Sequence, residues 1–447
     1  MLVAILAWTT FAFGGVYPST LAVPALLVAA LGIAYRPAVF HRGRHGSIDA
    51  PLAAALAAIF LQLLPLPRTL VGFVSPGAIR VFDRLSLAGS SDPLPIAIDL
   101  QDASAAALIV TAALLLFVVA RQIFDTGGVR TVVRGLAATA VILACVAIAQ
   151  DATGGGLMYW RWRPVYERAF PFGPFVNRNH FGAWAMMVVP LCIGYLVAHT
   201  AAHTPRGPAS WRRRVLALLD NRTWLLLSAI VLLIVATVVS LSRSAMLGLG
   251  CALVVGGLLA VRRSRETSRE PRVLVAMAIA GAAAIGAIVL RVDPASVADR
   301  IAASGVGLAG RTAIWSMTLQ VIGDFWLTGT GVGTYQTAMV LYQQPAGVLF
   351  NQAHNQYLQV AAEGGLLVGV PCALALMAFV RRARRAMRED RSGMYWLRLG
   401  AASGLVAIAV QGLFEGPLLT PANAALAAVL AAIVVHVPAR FGPPPLR

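Results

Sequence analysis

His354 is the residue from which a chemical reading of this chain starts. It stands among amides, with Asn351, Gln352, Asn355 and Gln356 around it, in the stretch running from Gly329 to Gly365. An unperturbed imidazole titrates near pH ~6.5, so it can take or hold a proton close to neutrality. The alternative role is a hydrogen-bonded histidine at a membrane interface. His180, in FVNRNHFG, starts an apolar run on the same predicted side and competes for the acid–base role. The two histidines lack a third ligand at metal spacing, so the pattern predicts no metal site.

Arginine is the second signal. Arg243, in SLSRSAMLG, lies in a turn between two apolar runs, where a charge is costly unless it is paired or faces water. Its guanidinium fork matches phosphate oxygens and stays charged, which suits an anion clamp. A snorkelling side chain, or an ion pair with a carboxylate such as Asp324, is the alternative. Arg311 opens the amphipathic segment RTAIWSMTLQVI, as a clamp or as a solvated helix end. Arg161, Arg163, Arg168 and Arg178 share a loop with Trp160, Trp162, Tyr166 and Phe170. Aromatic faces with arginines suit sugars and phosphates, and equally an interfacial belt. Glu363 is an ionisable residue two turns into an apolar run. It is either functional or an arginine's partner. The GTGVG run has no preceding strand and no following GK[ST], which excludes a nucleotide phosphate loop. Its glycines allow tight turns.

These residues need elements to position them. The chain has 447 residues, 59% hydrophobic and 12% charged. That composition excludes an ordinary soluble protein. Apolar runs long enough for a hydrocarbon layer of roughly 30 Å recur throughout. They predict twelve spans, at 1–15, 19–35, 50–66, 103–121, 132–150, 180–199, 223–241, 244–261, 273–290, 359–380, 395–413 and 422–438. Pro24, Pro190 and Pro371 are expected kink points. The fold class is an all-α polytopic membrane protein, one integral domain over 1–447. A large loop at 291–358 carries short amphipathic helices near 311–322 and 335–343, with Asn351 or Asn355 at the start of the tenth span. A surface helix is expected near 77–87.

Every one of the 36 basic residues is arginine. With the N-terminus in the cytoplasm, 25 of those 36 fall on the cytoplasmic side. This positive-inside bias puts both termini there and the 291–358 loop outside. The +18 net charge reads as orientation signal and contact with anionic membrane lipids, with no nucleic acid implied. The four cysteines lie in apolar runs without a CxxC, which argues against disulfides and zinc.

Four segments in order carry a resemblance: FVNRNHFGAWAMMVVPL, SLSRSAMLG, GRTAIWSMTLQVIGDFWLTGTGVGTYQ and AHNQYLQVAAEGGLLVGV. Together they resemble the O-antigen ligase/polymerase family of bacterial membrane glycosyltransferases, over roughly residues 170–415. The resemblance implies a GT-C-like fold in the inner membrane with its active site facing the periplasm. It also implies a metal-independent, inverting transfer that uses no cofactor. The donor would be a glycan on undecaprenyl diphosphate. The acceptor would be a hydroxyl, on lipid A-core for a ligase or on another glycan for a polymerase. Carried over residue by residue, His354 is the base and Arg243 and Arg311 hold the diphosphate. Asn177 and His180 match an asparagine–histidine motif, and Asn355 and Glu363 join the substrate-binding set. The competing class is a transporter of polysaccharide or lipid-linked glycan, which would show midplane charges and inverted repeats.

Overall fold

A computed structural model describes residues 1–37, 46–85, 93–165, 170–203, 220–266, 308–343 and 349–437. The described residues are helical and contain no strand. The helices are α1 Leu2–Phe11, α2 Pro18–Tyr35, α3 Gly46–Leu63, α4 Arg68–Val74, α5 Pro76–Leu85, α6 Leu100–Thr126, α7 Val129–Thr153, α8 Arg178–His203, α9 Asn221–Val239, α10 Arg243–Glu266, α11 Leu308–Asp324, α12 Tyr335–Tyr342, α13 Gln356–Glu389, α14 Met394–Gln411 and α15 Pro421–Val435. Eight are long and apolar enough to cross a membrane, and three shorter apolar ones accompany them. Together these match eleven of the twelve expected spans. The twelfth, at 273–290, lies outside the described residues.

The chain is thus an all-α polytopic membrane protein. Its first element is shorter than the sequence suggested. Phe13, Gly14 and Gly15 all take positive φ, so α1 stops at Phe11 after ten residues, about 15 Å. Hydropathy counts those residues as apolar but ignores the backbone break they make.

Helix α8 is the axis of the bundle, buried almost throughout, with α14, α10, α9 and α15 against it. Small residues permit this approach. A Cβ on Gly194 would lie 2.2 Å from the Trp396 carbonyl, and one on Gly400 2.3 Å from that of Pro190. Such contacts, rather than apolar burial alone, drive association between membrane helices.

Helix α13 is broken. The break falls at Gly365, with φ 54° and ψ −157°, rather than at Pro371. Interrupting a helix frees donors and acceptors that lipid cannot satisfy. Here the glycine-rich turn after α11 satisfies them. The Leu366 and Leu367 amides donate to the Trp326 and Leu327 carbonyls, both at 2.9 Å. The Thr330 and Gly331 amides donate to the Ala362 and Glu363 carbonyls, both at 3.0 Å. The GTGVG run is therefore a plug in a broken helix. Its Gly329, at φ 69°, approaches Glu363 so closely that a Cβ would sit 2.1 Å from the Glu363 oxygen.

Candidate functional site

Five elements present polar groups at one end of the bundle. They are the starts of α8, α10 and α13, the first turn of α11, and the loop that follows α14. Their meeting point is Glu415, a side chain only 1% exposed. Its Oε1 accepts from Arg311 Nη2 at 2.6 Å and from Asn179 Nδ2 at 2.8 Å. Its Oε2 lies 3.1 Å from His354 Nδ1. A carboxylate this deep is costly to bury without such partners.

Each partner is held in turn. His354 has φ 49°, a conformation that residues with a Cβ seldom adopt. The neighbouring peptide is fixed on both sides: Trp315 Nε1 donates to the Ala353 carbonyl at 3.0 Å, and the Ala353 amide donates to Gln359 Oε1 at 3.1 Å. Asn355 caps α13, its Oδ1 accepting from the Tyr357 and Leu358 amides at 3.0 and 3.1 Å. Its Nδ2 donates to the Leu413 carbonyl at 3.1 Å, and the Gln356 amide to that of Gly412 at 2.8 Å. These bonds dock the loop carrying Glu415 onto the start of α13.

The α8 side is built from a cap. Asn177 Oδ1 accepts from the Asn179 amide at 2.8 Å, which starts the helix and aims Asn179 at Glu415. Asn179 Oδ1 accepts from the buried Ser242 hydroxyl at 2.8 Å. Gln411 Nε2 donates to the Asn179 carbonyl at 3.0 Å and lies 3.3 Å from Ser244 Oγ. Gly182 allows the crossing, since a Cβ there would be 2.4 Å from that of Ala245. His180 Nε2 is buried without a hydrogen-bond partner among the described residues. Arg311 Nε is likewise buried and unpartnered there.

Of the residues singled out in the sequence, Arg311, His354 and His180 gather around Glu415, and Asn177 and Asn355 shape the helix starts beside it. Arg243 sits between Ser242 and Ser244, both tied into the cluster. Its own side chain is exposed, with no ion-pair partner among the described residues. Asp324, a possible partner, is engaged instead by Arg80 at 2.9 Å and by the Tyr342 hydroxyl at 2.5 Å. Glu363 points elsewhere. Its carboxylate accepts from the Gly333 amide and Gln359 Nε2, both at 3.0 Å, and so clamps the glycine plug rather than an arginine. Gln62 adds to that clamp through bonds to the Thr328 and Glu363 carbonyls at 2.7 and 2.9 Å. Outside the spans, burial pushes the Tyr335 phenol up to about 12, so it stays neutral and bonds Thr318 at 2.6 Å, fixing α12 against α11. Among the described residues no group of histidine, cysteine and carboxylate side chains has metal-site geometry.

Reading by sequence missed Glu415 and Asn179. The signal for Glu415 was available: it is the one acidic residue between the last two apolar runs, in LFEGP, the setting that drew attention to Glu363.

The fold and this cluster define a polytopic α-helical membrane protein with a titratable, arginine-bearing site at one end of its bundle. Residues 228–373 match the family model of the O-antigen ligase, which supports a place for this chain in the O-antigen ligase/polymerase family. The match contains Arg243, Arg311, His354 and Glu363; Asn179 and Glu415 lie outside it. A search of curated proteins found no match.

Proposed function

We propose that this protein transfers a glycan from undecaprenyl diphosphate to an acceptor hydroxyl on the periplasmic face of the inner membrane. The reading is of the ligase type, with lipid A-core as acceptor. The observation that carries it is the convergence of Arg311 and His354 on buried Glu415, within and beside the segment that matches the family.

The acceptor oxygen attacks the anomeric carbon from the face opposite the diphosphate. The C–O bond to the diphosphate breaks, its electron pair passes to the leaving phosphate oxygen, and the configuration inverts. Charge grows on the diphosphate, and preorganised cations stabilise it without a metal. Arg243 meets it with an uncommitted guanidinium, and Arg311, whose side chain is 23% exposed, from beside Glu415. His354 takes the acceptor's proton on Nε2, because Glu415 occupies Nδ1. Glu415 thus acts through His354 and is a positioning residue. No nucleotide is required, since the donor arrives activated.

The test is the purified protein in lipid nanodiscs or liposomes, given labelled lipid-linked glycan and lipid A-core, without nucleotide or metal. Covalent transfer is the expected result. Glycan that crosses the liposome bilayer with no new bond would establish a transporter instead.

A further inference from the structure

Backbone strain among the described residues occurs at Glu415's partner His354 and again in a second place. Six non-glycine residues among those described have positive φ, and Phe13, Tyr159 and Trp160 are three of them. Phe13 and Tyr159 belong to one aromatic cluster with Trp162, and Trp160 lies between Tyr159 and Trp162 in the chain. The Phe13 ring lies edge-on to Tyr159 at 5.6 Å and to Trp162 at 5.8 Å, and Tyr159 lies edge-on to Trp162 at 6.0 Å. A tight turn closes between Met158 and Trp162, whose amides and carbonyls exchange bonds at 2.8 and 2.9 Å.

The strained turn is fixed from several directions. The Tyr159 amide donates to Gln150 Oε1 at 2.8 Å, and Gln150 Nε2 donates to the Gly173 carbonyl at 2.9 Å. The Tyr159 hydroxyl donates to the Phe11 carbonyl. Trp160 Nε1 donates to the Thr153 hydroxyl at 2.8 Å. Despite these anchors, Trp160 and Trp162 remain 46% and 50% exposed. Arg161 lies over the Trp162 ring, 5.7 Å from its centroid, and Arg163 is exposed beside it.

An interfacial belt needs none of this. Tryptophans sit in such belts because their rings are amphipathic, which places no demand on backbone conformation. Bulky residues stay in the left-handed region only where their surroundings force them, and such sites cluster at ligand clamps. Exposed indole faces rimmed by guanidinium groups match the C–H faces and hydroxyls of pyranose rings. The residue after Phe13 packs on segments that flank the candidate site. A Cβ on Gly14, next to Phe13, would lie 3.0 Å from the Phe175 ring and 3.2 Å from the Thr420 methyl; Phe175 leads into α8 and Thr420 follows Glu415.

We propose that the Met158–Arg163 turn is a carbohydrate-docking platform, on which Trp160 and Trp162 stack sugar rings and Arg161 and Arg163 bind their oxygens. It is a second contact for a glycan, separate from the reacting bond. The choice of glycan as ligand rests on the transfer proposed above, but the measurement of binding does not require turnover.

The experiment uses the full chain in nanodiscs and saturation-transfer NMR. The probe is lipid-free oligosaccharide released by mild acid from the host cell's own envelope polysaccharide. The expected result is saturation of sugar protons by the parent protein and at least a fivefold loss in Trp160→Ala/Trp162→Ala. Trp160→Gly separates binding from folding. Glycine relaxes the left-handed backbone, so its thermal midpoint should hold or rise while binding falls. A lowered midpoint with binding intact would make the strain structural and overturn the proposal. So would absence of saturation in the parent protein, or quenching of Trp160 and Trp162 emission by lipids brominated on their acyl chains, which marks a belt. Loss of glycosyl transfer with any donor would instead count against the reaction, and leave the binding result standing.

Discussion

Glu415→Gln tests the proposed site most sharply, because the structure dictates which way the new amide must turn. Two donors, Arg311 Nη2 and Asn179 Nδ2, point at one oxygen, at 2.6 and 2.8 Å. A glutamine must offer its carbonyl to them, since its NH2 would face a cation. The amide N–H then faces His354 Nδ1, where Oε2 stood at 3.1 Å. His354 has to accept there, so its proton moves to Nε2 and the nitrogen meant to take the acceptor's proton becomes a donor. The substitution is nearly isosteric and still inverts the tautomer. A well-placed general base contributes roughly 10²–10⁴-fold, so kcat should fall by about that factor, or about 3–5 kcal/mol of barrier. Stability should fall less, by about 1–3 kcal/mol for a weakened charge-assisted bond at a partly exposed arginine. The assays are single-turnover glycan transfer across a donor titration, and ¹⁵N-histidine NMR of the nanodisc protein with His354 assigned by His354→Gln. The expected pattern is a lower kcat, a donor KM within about threefold of the parent, and a His354 tautomer that changes from Nδ1–H to Nε2–H. A folded Glu415→Gln protein with kcat within about threefold of the parent would refute the reasoning.

Other perturbations address the rest of the molecule. Gly329→Ala should cost more than about 3 kcal/mol and show as loss of monodisperse protein in detergent, since its Cβ would lie 2.1 Å from the Glu363 carbonyl oxygen at a φ of 69°. Arg243→Ala should raise donor KM by about tenfold or more, the scale of one lost charge-assisted contact. Arg311→Lys should lower kcat and raise KM together, because a lysine cannot bond Glu415 and still present a second N–H edge; an Arg311→Lys protein changed in KM alone would remove Arg311 from the positioning network. At the opposite end, Asp220 caps α9, and the Thr223 amide foremost, then the bonds to the Thr223 and His199 side chains, hold its carboxyl down at about 2 against an ordinary 3.8. A depressed folded value means the cap stabilises above the ordinary value and is lost as pH falls through about 2. Protection of the Thr223 amide, relative to its intrinsic exchange rate, should therefore fall between pH 4 and 2, and Asp220→Asn should flatten that dependence.

How much of this was legible depends on whether the deciding forces are local. Apolar runs and caps are local, so the helices were readable. The segment 311–322 is the core of α11, 335–343 is α12, and Asn355 caps α13. The first span was overdrawn because hydropathy does not register the positive φ at Phe13 and the two glycines after it. The site was only partly readable because its centre is a contact between residues distant in the chain. Glu415 acquires its meaning from Arg311 and His354, and nothing within LFEGP announces either. Asn177 and Asn179 look equivalent in a motif. Only the helix start separates them, turning one into the cap and the other toward Glu415. Glu363 is the converse case. It is ionisable and buried in an apolar run, yet its partners are the Gly333 amide and Gln359, so a rule about intramembrane charge found a structural clamp.

That clamp still bears on the chemistry, through the break in α13. His354 is mounted on the half-helix Gln356–Gly364, which Gly365 separates from the long remainder. A half-helix of nine residues has little stability of its own. Each face of it is secured from a different part of the chain. The glycine plug takes its last carbonyls, Gln62 of α3 adds a bond to Glu363, Gln359 ties Glu363 to the peptide before His354, and Tyr357 Oη donates to the Ala409 carbonyl of α14 at 2.7 Å. Holding a reacting group within about 0.5 Å requires a supporting shell of this kind. An unbroken α13 would have had to point its first turn along the axis set by its membrane-spanning part. The break frees that turn to take its direction from α3, α11 and α14, the last two being the elements that carry Arg311 and lead into the Glu415 loop. The irregular backbone is therefore what allows His354 to be aimed independently of the helix that follows it.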